Sequence, residues 1–379
     1  MKLHSLDSLR SMKSLQNLGL SNNKVESIDS ILNLKGLQMV ELRHNKISVV
    51  KNLQNMTGLK QFYLSNNQIG LVECTQVLIK MENLDLDDND LESIEFVQFF
   101  PSLRFLYAKD NKIASLKGIE DLLKLQKLEL SHNSISSIEY LQKLTTLDNV
   151  LLGYNKIVAI DVLGNLKILT ALDLSHNLIE SIESLANAKL MIKLLLSFNQ
   201  ITDIDAIANL TRLQELELSY NKIASTSAIK NFKSLIKLDL KNTQIDGLDN
   251  FRNLTNLEYL DLSFNRITAI GFIGQLKKLK HLDLSFNQIK NIDSASDLTN
   301  LKYLSLSNNK LFSIRSVSNL AYLTFLALSN NRISSAESIF NSTSLETLYL
   351  NFNSLTSIES VKNLTQLKYL YLDCRTQKR

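Results

Sequence analysis

One 22-residue pattern repeats along almost all of this 379-residue chain, and that period constrains the fold more than any other feature. Counting in steps of 22 reaches asparagine at fifteen of sixteen positions, and Thr243 is the one departure. No insertion or deletion interrupts the series. A fixed period of this length is typical of solenoids, in which each repeat packs only on its neighbours. We therefore predict a single repeat domain over residues 1–379, with about 17 repeats and no recognisable caps.

Each part of the pattern has a physical role. Two leucines that flank one variable residue, as in Leu172-Asp173-Leu174, have the period of a short strand with both leucines pointing inward. The asparagine amide carries donors and acceptors for backbone groups of the bend that no ladder reaches. The later apolar positions recur every third residue, which favours 3-10 or extended turns over an α-helix. We expect Thr243 to mark a local irregularity, because a hydroxyl makes fewer hydrogen bonds than an amide.

The full pattern, L-x-L-x-x-N-x-I-x-x-I-x-x-L-x-x-L, resembles the 22-residue class of leucine-rich-repeat proteins. It is similar to the repeats of the type-1 protein phosphatase regulatory subunit and of bacterial internalins. The resemblance covers essentially the whole chain. It implies an α/β solenoid, a leucine-rich-repeat horseshoe with a parallel concave sheet of about 17 short strands and a convex side of 3-10 and extended turns.

The sequence carries no motif for catalysis, nucleotide binding or metal binding. It lacks G-x-x-x-x-G-K-[ST], a strand-linked G-x-G-x-x-G, H-E-x-x-H and any C-x-x-C pair. His132 and His176 share one repeat position, but Tyr154 lies between them, so the two imidazoles are poorly placed to share an ion. We predict that the protein is not an enzyme and takes no metal and no cofactor.

Charge and hydropathy limit the location and the partners. The net charge of +4 is small for this length and does not favour nucleic acid. No segment approaches the roughly 20 apolar residues of a membrane span, and the amino-terminal residues lack an uninterrupted apolar leader. We expect a cytoplasmic protein, with the nucleus as a second location. The absence of a polar cap predicts a truncated gene, end-to-end self-association or frayed ends.

The variable residue between the two strand leucines should point to the concave, solvent-facing side. Of its seventeen occurrences eight are acidic and none is basic, which predicts an acidic stripe. Taken singly, each aspartate is as well explained as an acceptable exposed residue of the repeat. We predict that the stripe binds a partner through Glu129, Asp173, Glu217, Asp239, Asp261 and Asp283.

Aromatic residues form the second part of the predicted binding face. Rings exposed together on one face are typical of interface anchors, although the last few could instead cover an uncapped end. The basic residues that follow the repeat asparagines are expected on a loop edge. The predicted aromatic contacts are Tyr259, Tyr303, Phe325, Tyr349 and Tyr371.

These features favour a scaffold that binds a folded protein partner on its concave face. The resemblance implies, more specifically, a regulator of type-1 protein phosphatase, with the phosphatase catalytic subunit as the partner. An internalin-like surface or adhesion protein is the alternative of a different class. A structural member of a cytoskeletal or ciliary assembly is the third.

Overall fold

The computed structural model describes residues 2–223 and 225–373. They belong to two compact units, Met1–Met191 and Ile192–Arg379. The single domain over residues 1–379 stays a prediction. Each repeat contributes one three-residue strand, because the flanking leucines are drawn into the core while the residues between them face solvent.

The first unit holds eight parallel strands of this kind. Two shorter strands, Val49–Val50 and Leu71–Val72, pair separately in parallel. In chain order the ten are β1 (Asn17–Gly19), β2 (Met39–Glu41), β3 (Val49–Val50), β4 (Gln61–Tyr63), β5 (Leu71–Val72), β6 (Asn83–Asp85), β7 (Phe105–Tyr107), β8 (Lys127–Glu129), β9 (Asn149–Leu151) and β10 (Ala171–Asp173).

The second unit holds nine parallel strands, each in register with the next at an offset of 22 residues. Together the two units have the seventeen short strands that the sequence predicts. Those of the second unit are β11 (Lys193–Leu195), β12 (Glu215–Glu217), β13 (Lys237–Asp239), β14 (Tyr259–Asp261), β15 (His281–Asp283), β16 (Tyr303–Ser305), β17 (Phe325–Ala327), β18 (Thr347–Tyr349) and β19 (Tyr369–Tyr371).

The other side of each repeat consists of 3-10 helices and extended turns, as the three-residue apolar spacing predicts. The described residues contain no α-helix and no helix long and apolar enough to cross a membrane. The fold class is thereby confirmed. The 3-10 helices are Asp7–Leu9, Leu53–Asn55, Glu95–Phe99, Glu139–Leu141, Asp161–Asn165 and Glu183–Asn187 in the first unit, and Asp205–Ile207, Ser227–Asn231, Asp249–Phe251, Ile273–Gln275, Asp293–Asp297, Arg315–Asn319, Glu337–Ile339 and Glu359–Asn363 in the second.

The repeat asparagines hydrogen-bond two adjacent repeats together. The Asn287 amide nitrogen donates to the carbonyls of Leu262, Leu284 and Ser285 at 2.9, 3.1 and 3.1 Å. Its amide oxygen accepts the backbone N–H of Ile267 at 3.0 Å. The side chain is 7% exposed, so these bonds satisfy groups that water does not reach. The role predicted for asparagine is confirmed.

Thr243 does mark an irregularity. Its hydroxyl donates to the Leu240 carbonyl at 2.6 Å, which reproduces the bond that asparagine makes within its own repeat. Among the described repeats, the residue that follows this position is left-handed only here, at Gln244, with φ of 72°. The hydroxyl therefore substitutes for part of the amide, and the backbone turns differently after it.

The residue before each repeat asparagine is left-handed in every described repeat, with φ between 51° and 62°. This conformation suits asparagine, aspartate and glycine and is unfavourable for bulky side chains. In the first unit most of these positions are Asn, Asp or His. In the second unit they include five rings, Phe198, Tyr220, Phe264, Phe286 and Phe352.

Candidate functional site

The predicted binding residues of the second unit lie on one surface, which we call the strand face. It consists of the outward-pointing first and third residues of the strands β11–β19. The acidic residues are stacked as predicted: Glu217 lies opposite Asp239, Asp239 opposite Asp261, and Asp261 opposite Asp283 on successive strands. Neighbouring strands are about 4.8 Å apart, so these side chains are direct neighbours.

Each aspartate of the stripe also accepts a hydrogen bond from the backbone just after its own strand. The Oδ1 atom of Asp261 accepts the backbone N–H of Ser263 at 2.8 Å, and Asp283 accepts that of Ser285 at 2.8 Å. Short acceptor side chains commonly satisfy the N–H two residues later. Each aspartate therefore has a local structural role, which agrees with the alternative explanation that single aspartates belong to the repeat itself. Comparable bonds link Glu129 to Ser131, Asp173 to Ser175 and Asp239 to Lys241.

The middle of the strand face is more buried than the sequence predicts. Asp261 is 9% exposed, and Ser305 and Ala327 in the same column are 5% and 7% exposed. The expectation that every residue of this column faces open solvent is wrong. Asp261 turns its Oδ1 atom to the backbone N–H of Ser263 rather than to water, and Ser305 and Ala327 are short side chains between larger neighbours.

The aromatic residues form a continuous stack, which we call the strand-face ladder. Ring centroids are 4.3 Å apart for Tyr259 and His281, 4.0 Å for His281 and Tyr303, and 4.3 Å for Tyr303 and Phe325, with near-parallel planes. The histidine was not among the predicted contacts, although its strand position could have identified it. Each ring is half-buried by its neighbours. Stacking makes one extended apolar surface of four side chains.

The ladder continues less regularly at the end of the second unit. Phe325 and Tyr349 are tilted by 49° with centroids 5.8 Å apart, because Tyr349 belongs to the other column. Tyr349 and Tyr371 stack at 4.5 Å. Tyr371 is 41% exposed and Tyr369 is 56% exposed.

A second row of rings, the ridge ladder, borders the strand face at the left-handed positions. Phe264 and Phe286 stack at 4.1 Å and are 42% and 44% exposed. Phe198 and Tyr220 stack at 4.1 Å. The Lys241 ammonium lies 5.7 Å from the Tyr220 ring centroid and 5.3 Å from that of Phe264, so this lysine fills the gap between the two pairs.

Basic residues on the strand face were missed by the sequence analysis, which expected lysines on a loop edge. The Lys237 ammonium lies 2.5 Å from Glu217 and 3.0 Å from Glu215. Lys193 pairs with Glu215 at 2.9 Å. Glu217 therefore has a cation of its own. The signal was present, because strand positions two before the acidic column carry these lysines.

The first unit carries a comparable arrangement of ring, acid and base. The Arg43 guanidinium carbon lies 4.2 Å from the Tyr63 ring centroid, and its Nε lies 3.0 Å from an Asp85 oxygen. The predicted acids Glu129 and Asp173 lie on the strands β8 and β10 of this unit. Burial raises the pKa of Asp87 to about 7. Sequence reasoning missed this acid, which occupies a position that is usually serine.

Two of the three histidines at the left-handed positions, His132 and His176, stack with a tyrosine. Tyr154 lies between His132 and His176, with centroids 4.1 and 3.8 Å away. This arrangement matches the expectation that the two imidazoles do not meet. Among residues 2–223 and 225–373, no group of three or more His, Cys, Asp or Glu side chains could hold a metal ion.

Burial and charge repulsion weaken the acidity of the stripe. Burial raises the pKa of Asp239 to about 6, and the nearby charges of Asp261 and Glu217 add to the effect. The opposing influences are the backbone N–H that Asp239 accepts and the charge of Lys237 on its own strand. Burial likewise raises the pKa of Asp261. The ionised stripe therefore costs folding free energy at neutral pH.

Asp239→Asn is expected to stabilise the protein at pH 8 by about 1–2 kcal/mol. The folded pKa lies above the unfolded one, so the wild-type protein binds its proton more tightly when folded. It gains stability as the pH falls from about 7 to 4, whereas the variant gains none from this site. Urea unfolding from pH 4 to 8 should show the difference shrinking toward low pH. A difference independent of pH would contradict the assignment.

The comparisons with known proteins agree on the repeat. The family model described as Leucine Rich repeats (2 copies) matches residues 101–143, 191–231, 233–275, 277–322 and 343–377, which together make up more than half of the chain. No curated protein sequence matches the chain significantly.

Several solved structures are similar along most of their length. A leucine-rich-repeat protein of Leptospira interrogans is 27% identical, with 97% of this chain and 99% of that chain covered and a TM-score of 0.83. An internalin of Listeria monocytogenes is 25% identical, with 95% and 87% covered and a TM-score of 0.55. A plant peptide hormone receptor, solved in complex with RGF2, is 22% identical, with 98% and 77% covered and a TM-score of 0.70. At that identity the receptor shows the fold alone.

Proposed function

Because the chain belongs to the leucine-rich-repeat family, we propose that it is a non-enzymatic scaffold that binds a folded protein partner on its strand face. The strand-face ladder is the observation that supports this most. Four stacked rings present a wide apolar surface on a rigid parallel sheet. Tyrosine and phenylalanine in such positions are typical anchors of protein interfaces.

The acids beside the ladder would act mainly on recognition and association rate. Asp239, Asp261 and Asp283 lie in adjacent repeats at the edge of the rings. Aligned charges of one sign attract a partner of opposite charge and reject partners of like charge. The proposed interface therefore combines an apolar anchor with an electronegative border.

The finer reading, regulation of type-1 protein phosphatase, rests on the resemblance of the repeats and on the mixture of acids and rings. It places the protein in the cytoplasm or the nucleus. The second candidate is an internalin-like surface protein. The internalin from Listeria monocytogenes supports it, at 25% identity over 95% of this chain.

The scaffold proposal is tested with matched aromatic variants. Tyr303→Ser with Phe325→Ser removes half of the strand-face ladder. Tyr322→Ser with Phe312→Ser removes the same side-chain types at positions outside the strands that are 63% and 61% exposed. Partners are captured from extract of the native cells and identified by mass spectrometry, with chemical cross-links to locate the contact. We expect the wild-type protein and the control to capture and cross-link the same partner.

The strand-face variant should lose that partner by at least about tenfold. Equal capture by all three proteins, or cross-links confined to the turns, would overturn the choice of face. Two further measurements distinguish the phosphatase regulator from the surface protein. One is direct binding of purified type-1 phosphatase catalytic subunit, and the other is protease treatment of intact cells. Phosphatase binding in the micromolar range or tighter supports the first, and cleavage at the cell surface supports the second.

A further inference from the structure

The carboxylates of Asp261 and Asp283 lie between two rows of rings. In each repeat, the ring of the strand-face ladder belongs to the residue two positions before the aspartate. The ring of the ridge ladder belongs to the residue three positions after it. Adjacent rings within the rows are 4.1 to 4.3 Å apart at this level. The two acids therefore form a charged strip with an apolar border on each side.

Neither of these acids forms an ion pair with another described side chain, although the nearby charge of Lys241 opposes the rise in the pKa of Asp261. Among the described residues, no lysine or arginine nitrogen lies within the 4.0 Å ion-pair limit of Asp261 or Asp283. The outward strand positions of β14–β17 also carry no lysine or arginine. They are Tyr259, Asp261, His281, Asp283, Tyr303, Ser305, Phe325 and Ala327.

Elsewhere the chain pairs the same groups with its own cation. In the first unit, Arg43 lies over Tyr63 and binds Asp85 in the same conformation. In the second unit, Lys237 binds Glu217 and lies 5.6 Å from the Tyr259 ring centroid. The combination of ring and carboxylate is thus a cation site in this protein. At Asp261 two lysines already lie over the bordering rings, Lys237 over Tyr259 and Lys241 over Phe264, but neither forms an ion pair with this carboxylate. At Asp283 the chain supplies the rings and the acid, and no lysine or arginine of the described residues lies over those rings.

The ridge ladder adds a separate argument for a ligand. Phe264 and Phe286 are left-handed, a conformation that a bulky residue adopts at a cost of about 1 kcal/mol or more. Asparagine holds the equivalent position in other repeats of this unit, as at Asn242 and Asn308. Both phenylalanines are also more than 40% exposed. Their exposure leaves both rings accessible to a partner, and their left-handed backbone means that they are not the residues best suited to the stability of this turn.

We propose that the strip receives an arginine-bearing segment of the protein partner, with guanidinium groups stacked on the rings and hydrogen-bonded to Asp261 and Asp283. A guanidinium fits better than an ammonium, because its flat face packs on a ring while its edge donates to a carboxylate. The inference rests on the proposed function and specifies the chemistry of the partner there.

The probe is a fluorescein-labelled peptide of alternating glycine and arginine, titrated with the full chain at low ionic strength and followed by fluorescence anisotropy. The matched peptide carries citrulline, which keeps the shape of arginine and removes its charge. We expect the arginine peptide to bind at least about tenfold more tightly than the citrulline peptide.

Two protein variants separate this strip from general charge attraction. Asp261→Asn with Asp283→Asn keeps the acceptor oxygens for Ser263 and Ser285 and removes two charges. Asp246→Asn with Asp249→Asn removes two charges from exposed positions outside the strands. The first variant should weaken arginine-peptide binding by at least about tenfold, and the control by less than about twofold. Equal losses, or equal binding of the citrulline peptide, would overturn the proposal.

A third variant tests the rings. Phe264→Asn with Phe286→Asn should weaken the arginine peptide at least about threefold while the urea midpoint stays equal or rises, since asparagine suits the left-handed backbone. Unchanged peptide affinity in this variant would contradict the role of the ridge ladder. If a partner depends on Tyr303 and Phe325 but the arginine peptide does not bind, the scaffold proposal stands and this inference fails.

Discussion

Asn265→Ala is expected to lower the free energy of unfolding by about 2–5 kcal/mol. The amide oxygen of Asn265 accepts the backbone N–H groups of Ile245 and Thr243 at 2.9 and 3.1 Å. Both donors are buried, so alanine leaves them without an acceptor. Each unsatisfied buried group costs about 1–3 kcal/mol. Urea unfolding followed by circular dichroism measures the change.

The control for this prediction is Asn300→Ala. Asn300 is exposed, and its amide donates a single bond, to the Lys277 carbonyl at 2.9 Å. Water can replace that bond, so the loss should stay below about 1 kcal/mol. Similar destabilisation by both substitutions would show that the repeat asparagine has no special role.

Phe232→Ala is expected to cost about 3–5 kcal/mol, through lost burial and the cavity that the missing ring leaves. Phe232 is fully buried, at a position that Leu210 and Leu254 occupy in the adjacent repeats. The parallel strands and asparagine bonds on both sides limit how far the repeat can close around the gap. Thermal or urea unfolding of the variant gives the value.

Phe312→Ala is the matched control, because this substitution removes the same atoms from a side chain that is 61% exposed. It should change the stability by less than about 0.5 kcal/mol. A small effect at Phe232 would mean that the repeats repack more freely than their regular geometry indicates.

Much of the strand face could be predicted because strands have a period of two. Leu260 and Leu262 point inward, so Asp261 must point outward. The 22-residue offset between strands then places Asp283 beside Asp261. The same reasoning brought Tyr259, Tyr303 and Phe325 onto one face. Their role in binding a partner stays a prediction.

The sequence pattern did not predict which charges are paired. Lys237 approaches Glu217 and Glu215 because its side chain reaches across to the preceding strand. A long flexible side chain has many positions open to it, and only the packed neighbours select one. The burial of Asp261 likewise depends on its packed neighbours and could not be predicted from its strand position.

The sequence by itself determined the repeat, the seventeen short strands, the asparagine bonds and the outward column, since each follows from a local period and from the need to satisfy backbone groups. Only the tertiary structure decided the stacking of the rings and which aspartates form no ion pair. These features depend on how side chains of different repeats share one surface, and no interaction within a single repeat specifies that.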